Sequence, residues 1–546
     1  MVNNQSVLIT KALKEALPHI LAQCKTGYLW IDQVCIDQDN ISERKRQVVL
    51  MQNIYQKCST CLVWLRPSDW DVENVRHLIL SSGFSTLREN GRDLNKLRGT
   101  KSTWDVIREN WAAQLPYSSF EGRHNPLLAL ATLLSRPWFS RAWVVQEVAL
   151  APKAVFIAGA DCLNLYDLVG QLGEADKYIR DRFQHDRALN LLFEPDHTLE
   201  DASRACMLIY HYHKDIHSKN STEEDTLLNA RGRWDLLDIF VMTAGQSQAT
   251  DPRDLIYAFL GLLDERVLKH IVPDYAKPDT LVFVAAMRSI LRIRGDLSAF
   301  TEFWYEIPVR IDGSLLPSWV LAPSHRPSGS CPMRSASRDW VLDTFCADRY
   351  RLYKHVVSDF HDQLILSGRA IDRIDLVTTH RRRDNYIDDI IPEMSEASAY
   401  EDAQFDISRI VGELNEALED RNRSATHSVE VSDRQVRNLF RKSTSNGDDG
   451  DVSMEITRKA SLAAGFVNDT MSRVAFLTKS ASLGLGPSSM RHKDIICILH
   501  GSRLPIILGA NGKGQYTYVG PCYLEGAMFG ERTTWAEEDA DEFVLV

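Results

Sequence analysis

The chain has 546 residues, with 63 Lys and Arg against 74 Asp and Glu, giving a net charge of −11. Hydrophobic residues make up 44% and charged residues 25%, a globular balance that excludes wholesale disorder. The acidic excess argues against a protein that works by gripping phosphate backbones, so no nucleic-acid partner is expected.

At roughly 150 residues per domain, the length allows about three to four domain-sized units. No apolar run approaches the ~18–20 residues needed to span a bilayer. The first residues, MVNNQSVLITKALKEALPHI, lack a basic start followed by an uninterrupted apolar core, so they do not read as a signal peptide. The 10 Cys are scattered, which fits free thiols in a reducing compartment better than a disulfide framework. A soluble, cytoplasmic chain is the expectation.

In chain order, Leu13, Ala16, Leu17, Ile20, Leu21 and Cys24 fall on one face of a helix, with Pro18 predicting a kink or a late start. YLWIDQVCI (Tyr28–Ile36) is aromatic and β-branched and predicts a buried strand. Asn40 followed by Glu43 forms a capping-box pattern. It opens a second amphipathic helix through Val48, Met51, Tyr55 and Cys58. CLVWL (Cys61–Leu65) predicts another short strand. Strand, helix, strand in this order predicts a parallel α/β sheet with right-handed crossovers.

Residues 66–125 are polar and mixed and predict an inserted set of helices and loops. Leu127–Leu134 predicts a buried helix, Pro137 starts a new element through Arg141–Ala151, and AVFIAG (Ala154–Gly159) predicts a third strand. Residues 163–300 are helical by pattern. Residues 301–380 are mixed α/β, with a strand-like QLILSG (Gln363–Gly368). Residues 381–455 read as a polar, partly disordered linker containing RKSTSNGDDGDVS (Arg441–Ser453). Residues 456–546 alternate short strands with Gly turns and predict a small β-rich carboxy-terminal unit.

Several motifs carry little chemistry. Cys58-x-x-Cys61 has no second pair, so a helix end passing into a strand explains it better than zinc. His213 and His217 stand four apart, but Lys214 replaces the general-base Glu of a zinc protease, so they read as a solvated helix face. GLGPSS (Gly484–Ser489) lacks a third Gly and has Pro487 where a helix would open, so it reads as a loop. The basic run His380–Arg383 is followed closely by Asp384, Asp388 and Asp389, the pattern of a solvated linker. There is no Walker-A sequence and no GxSxG elbow.

Two blocks carry a family resemblance. In WIDQVCIDQDNISERKRQVVLMQNIYQKC (Trp30–Cys58) the markers are Trp30-Ile31-Asp32, Cys35-Ile36-Asp37-Gln38, Glu43-Arg44, Gln47-Val48 and Ile54-Tyr55. In RPWFSRAWVVQEVALA (Arg136–Ala151) they are Arg141, Trp143, Gln146 and Glu147. Together these resemble the fungal heterokaryon-incompatibility (HET) domain family. DPRDLIYAFLGLL (Asp251–Leu263), VPDYAKP (Val272–Pro278), LPSWV (Leu316–Val320) and the segment Asp494–Glu531 resemble later blocks of its long members. The family's opening Ser-Tyr-x-Trp-Gly strand has no counterpart here, so residues 1–162 are expected to form a HET domain truncated at its amino-terminal end.

The resemblance implies a TIR/flavodoxin-like parallel sheet, followed by a helical region and the β-rich unit. It also implies a role in fungal non-self recognition and programmed cell death. TIR-like domains include enzymes that cleave NAD at the nicotinamide–ribose bond, through an oxocarbenium-like transition state that a carboxylate stabilises. NAD would then be a substrate, and no resident cofactor or metal is expected. Glu147 and Asp32 are the candidate catalytic carboxylates. Trp30 and Trp143 would supply an aromatic wall, and Arg141 would meet a phosphate. The competing readings are structural: Asp32 as a turn cap, Arg141 and Glu147 as an ion pair, and the tryptophans as core. Two rival functions stand beside the enzyme. One is a non-catalytic module that binds protein partners or itself. The other is an accessory member of a fungal secondary-metabolite gene cluster.

Overall fold

The computed structural model describes residues 9–37, 39–65, 136–158, 161–164, 236–243, 247–263, 265–303, 307–311, 313–325, 347–349, 355–356, 362–378, 407–422 and 473–546, with single positions between them. The predicted 66–125 insertion, the helix at Leu127–Leu134, the Arg441–Ser453 linker, His217 and His380–Arg383 lie outside these residues. The chain divides into two compact units, Met1–Pro278 and Asp279–Val546. Among the described residues, no helix is long and apolar enough to cross a membrane.

In the first unit, helix α1 (Lys11–Gln23) starts at Thr10, whose hydroxyl accepts the Leu13 N–H, and runs unbroken through Pro18. The predicted strand Tyr28–Ile36 does not form. Instead the chain turns into a short helix, α2 (Asp32–Cys35), in which the Ile31 carbonyl accepts the N–H groups of Val34 and Cys35. Asp32 sets this turn by accepting the Gln33 N–H at 2.8 Å, a local bond that outcompetes the β propensity of its neighbours.

Helix α3 (Ile41–Lys57) is capped as its sequence predicts. Asn40 accepts the Glu43 N–H at 3.1 Å, while the Glu43 carboxylate reaches back to the Asp37 N–H. Strands β1 (Cys61–Trp64) and β2 (Ala154–Ala158) pair in parallel, and β3 (Asp161–Asn164) returns antiparallel to β2. Helix α4 (Trp143–Leu150) leads into β2, completing a mixed α/β arrangement. The α1 residues Ala16 and Ile20 pack on Ile157, with Leu29, Leu62, Trp64 and Val155 around them. Helix α5 (Leu236–Thr243) follows. After it, the Gln248 carbonyl accepts the Ala142 N–H and binds the chain just ahead of α4. Helix α6 (Asp254–Tyr257), a 3-10 turn (Leu260–Leu262) and α7 (Glu265–Leu268) complete the unit. His213, expected on a solvated face, is buried at 2% exposure.

The second unit opens with α8 (Asp279–Arg294) and α9 (Ala299–Glu302), then the hairpin β4 (Arg310–Ile311) and β5 (Ser314–Leu315). Trp319 of the LPSWV block is buried, and its indole N–H donates to the Asp362 carbonyl. The remaining strands are β6 (His355–Val356), β7 (Leu364–Val377), β8 (Arg473–Thr478), β9 (Leu483–Pro487), β10 (Ile495–Leu499), β11 (Ile506–Ala510), β12 (Gln515–Pro521), β13 (Tyr523–Leu524) and β14 (Asp541–Leu545).

Strand β7 pairs with both β10 and β14, and β10, β11, β12 and β14 are linked in series, so these five strands close on themselves. Closure removes the open edges that would otherwise invite pairing with other chains. The unit therefore draws on residues 364–377 as well as the last stretch of sequence. Gly368 is the seam, facing both Asp541 and Leu499. A Cβ there would come within 2.4 Å of the Ile498 carbonyl oxygen.

GLGPSS, read above as a loop, begins as strand β9. Its glycines are there because a Cβ at Gly484 would strike the Phe476 ring and one at Gly486 would strike Met490. In the polar stretch after β7, Ile407–Asn422 forms a helix, α10. Its Leu414 and Leu418 pack on Ala475, Leu477, Leu483 and Leu485.

Candidate functional site

Four of the five residues singled out in the sequence converge around Tyr55, on the last turn of α3. Tyr55 has the carboxylates of Glu147 on α4 and Asp32 as its electrostatic neighbours. Trp30 meets the Tyr55 ring edge-on, with centroids 5.9 Å apart and planes at 82°. Arg141, exposed just ahead of α4, acts on Glu147 through its charge.

Glu147 keeps part of its surface open to solvent while its surroundings are densely packed. Burial pushes its carboxyl up to about 7; Arg141 pulls against that, Asp32 adds to it, and the Tyr55 hydrogen bond pulls it down again. Burial likewise drives the Tyr55 phenol far above its ordinary value, with Glu147 contributing. The phenol therefore stays a neutral donor throughout the working pH range. Cys61, the first residue of β1, is a further electrostatic neighbour of both groups, and burial pushes its own thiol well up. The cluster accordingly lies toward the amino-terminal end of β1. The carboxyl ends of the strands, where ligands collect in open α/β sheets, are not where it sits.

Trp143 has a polar partner of its own. Four residues before Glu147 on α4, it also acts on Asp254 of a second polar network. That network is built from sequence blocks to which no role had been assigned. Arg253 grips Asp251 through Nε at 2.8 Å and Nη2 at 2.9 Å, and its Nη1 donates to the carbonyls of Tyr275 and Lys277. The Tyr275 hydroxyl donates to Asp254 at 2.6 Å. Arg44 of α3 lies over the Tyr275 ring, 4.2 Å from its centroid, and 3.5 Å from the Asp251 carboxylate.

Burial tends to raise Asp251, but the Arg253 hydrogen bonds and both guanidinium charges outweigh it and hold the carboxyl low. This network fixes α3 through Arg44 and α4 through Trp143. A second clamp sits nearer the cluster, where the Gly261 N–H donates to Gln146 Oε1 at 2.8 Å. A Cβ on Gly261 would stand 2.4 Å from that oxygen and 3.1 Å from Gln52 of α3. Together these contacts set the distance between the helix bearing Tyr55 and the helix bearing Glu147.

Chemically, the cluster offers a carboxylate balanced between acid and anion near neutral pH, two aromatic rings beside it and an exposed guanidinium. Tyr55 had been visible as the end of the Ile54-Tyr55 marker, but its partner lies on another helix, and helical spacing alone does not reveal that.

The comparisons with known proteins agree with this architecture. Residues 1–147 match the family described as heterokaryon incompatibility protein (HET), and residues 427–546 match the Het-6 beta-barrel domain. The chain thus carries a HET domain and a Het-6 barrel. It is similar to the Neurospora crassa protein "Heterokaryon incompatibility protein 6, OR allele", at 23% identity over 600 residues, covering 97% of this chain and 84% of the relative. No solved structure matches the chain.

Proposed function

We propose that the chain acts in fungal non-self recognition and programmed cell death, with its amino-terminal unit as the effector. That unit is read as a TIR/flavodoxin-like domain that cleaves NAD. The supporting observation is Glu147, a partly open carboxylate with a near-neutral pKa, held by Tyr55 beside Asp32 and Arg141.

In the reaction the bond between the nicotinamide nitrogen and ribose C1′ breaks and nicotinamide leaves with the electron pair. Water adds to C1′ and releases one proton. The Glu147 carboxylate faces the positive charge developing on the ribose, an interaction strongest in the transition state. In this reading Arg141 meets a phosphate, and Trp30 and Tyr55 contact the nicotinamide ring.

The test is a full-length Glu147→Gln chain expressed in a fungal host, with NAD content and viability followed over time. NAD depletion and death with the parent, and neither with the variant, is the expected result. Equal killing by the two would overturn the reading.

A second reading, a non-catalytic assembly module, draws support from Ile41, Val49 and Leu50, which α3 leaves 53%, 56% and 46% exposed. It predicts self-association in sizing experiments without NAD turnover. Cytoplasmic residence goes with either reading.

A further inference from the structure

The barrel carries a local inversion of the chain's charge. Arg373, Lys479, Arg491, His492 and Lys493 are all exposed, and the backbone ties their segments side by side. From the β8 side, the Lys479 N–H donates to the Arg373 carbonyl at 2.9 Å. From the β10 side, the Lys493 N–H donates to the Ile374 carbonyl at 2.9 Å, and His492 Nδ1 donates to the Asp375 carbonyl at 2.7 Å. Neighbouring strands lie about 4.8 Å apart, so these cations are gathered within about 10 Å across three segments. The carboxylates in the same segments are Asp372, Asp375 and Asp494. Asp372 is taken up by Ser480 and Arg532, and the buried Asp494 accepts the Arg491 N–H at 2.7 Å. Four fixed cations therefore stand beside one exposed carboxylate, Asp375.

The backbone is strained on both sides of Arg373. Lys493 adopts φ 75°, and Ala481, just after Lys479 and Ser480, adopts φ 62°. Glycine takes such left-handed angles freely, whereas a side chain strains them. At 493 the chain keeps a lysine where glycine would relieve the backbone, and the ammonium is what glycine would lose. The shape of the patch selects among anions. An extended acidic peptide presents carboxylates about 6–7 Å apart along one line, but these cations lie across the strands. A long nucleic acid would meet the field of a chain with net charge −11. A membrane face would add exposed apolar anchors, and the large exposed hydrophobics among the described residues all lie outside 364–377 and 473–546. A compact ligand feels only the local excess.

We propose that Arg373, Lys479, Arg491 and Lys493 form a surface site on the barrel for a soluble ligand bearing clustered phosphate groups.

The experiment is calorimetric titration of the full chain with inorganic tripolyphosphate at low salt. Arg373→Gln and Lys493→Gly should each weaken binding about tenfold, the loss of one charge-assisted contact. Lys493→Gly should also melt no lower than the parent, because glycine accepts the angle at this position, so its lost binding reports the ammonium and not the fold. Lys513→Gln, at an exposed lysine in the β11–β12 turn, is the control and should bind as the parent does. No binding by the parent overturns the proposal, and so does equal weakening by Lys513→Gln, which would mark diffuse attraction. Phosphatidylcholine–phosphatidylserine vesicles and a hexa-aspartate peptide are the rival ligands. Tighter binding of either than of tripolyphosphate would replace the phosphate site with a membrane or an acidic-peptide surface.

Discussion

The two units each hold a carboxylate in a polar cluster, and the contrast between them shows how donors and burial set a carboxylate's charge. In the barrel, the Asp372 side chain is 6% exposed and surrounded by donors: Arg532 at 3.2 Å, the hydroxyls of Ser480 and Thr478, and the Arg373 N–H. Burial tends to raise its carboxyl, but these donors outweigh burial and hold it below the usual range. In the amino-terminal unit, burial and Asp32 win over Arg141 and Tyr55, and Glu147 is pushed up to about 7. A carboxylate saturated with donors has nothing left to offer a substrate. One held at the edge of ionisation, with part of its surface open, does.

The largest expected break in this comparison is catalytic. On the proposed reading, Glu147→Gln lowers NAD cleavage by about 10²–10³-fold, the range seen when a transition-state electrostatic group is removed. Asp372→Asn should leave the rate unchanged while destabilising the barrel by about 1–2 kcal/mol, read in urea titrations.

Two glycines sharpen the point. Gly368→Ala places a methyl against backbone that cannot move aside at the barrel seam and should cost about 3 kcal/mol. Gly261→Ala should cost about 1–3 kcal/mol, because Gln146 can partly yield. It should also slow cleavage, since it forces α3 from α4 and so Tyr55 from Glu147, whereas Gly368→Ala at equal occupancy of the folded state should not.

The pH dependence of stability should run in opposite directions for the two carboxylates. Between the ordinary carboxylate range and about pH 7, folded Glu147 binds more protons than the unfolded chain, so its contribution falls as pH rises through that window. Glu147→Gln should therefore melt higher than the parent at pH 8, by about 2–4 °C if the relief is about 1 kcal/mol, with the gap closing at pH 5. Asp372 has the opposite sign. Its contribution is present above the unfolded pKa and lost as pH falls through its lowered folded value. Acid should thus erase the deficit of Asp372→Asn. The smallest effect expected is that of Trp143→Phe. It removes one hydrogen bond to Asp254, about 1 kcal/mol, and should change the cleavage rate much less than Trp30→Ala.

Local signals in the sequence were legible where local chemistry decides. Asn40 with Glu43 marked the start of α3, and Cys61–Leu65 and Ala154–Gly159 marked strands that pair in parallel. Tyr28–Ile36 misled because its strand propensity is real, but a single side-chain bond from Asp32 turns the backbone. Gly484 and Gly486 misled in the other direction. They look like turn residues, yet they sit in a strand because Phe476 fills the space above them. Barrel closure left no trace in any one window, since β7 meets β10 and β14 across long stretches of chain. Trp143 and Trp30 belong to equally suggestive motifs, and only tertiary packing sent one to Asp254 and the other to Tyr55.

The closed sheet also bears on how the second unit reaches its native state. Tyr518 donates to the Phe303 carbonyl across 215 residues, and β14 finds its partner in β7 only after everything between them has been threaded. Contacts of such separation carry the full loop-closure entropy before any of them is rewarded, so folding is expected to be slow and dominated by topology. Until β14 arrives, β7 lacks one of the partners that close the ring, which makes the half-formed barrel the aggregation-prone species on the pathway. The amino-terminal helices, whose caps and turns are made within a few residues, face no such delay. The local caps of α1 and α3 are therefore expected to form before the barrel closes, while the Glu147 cluster, whose helices are tied by Arg44 to Asp251 and by Gly261 to Gln146, waits on long-range contacts of its own.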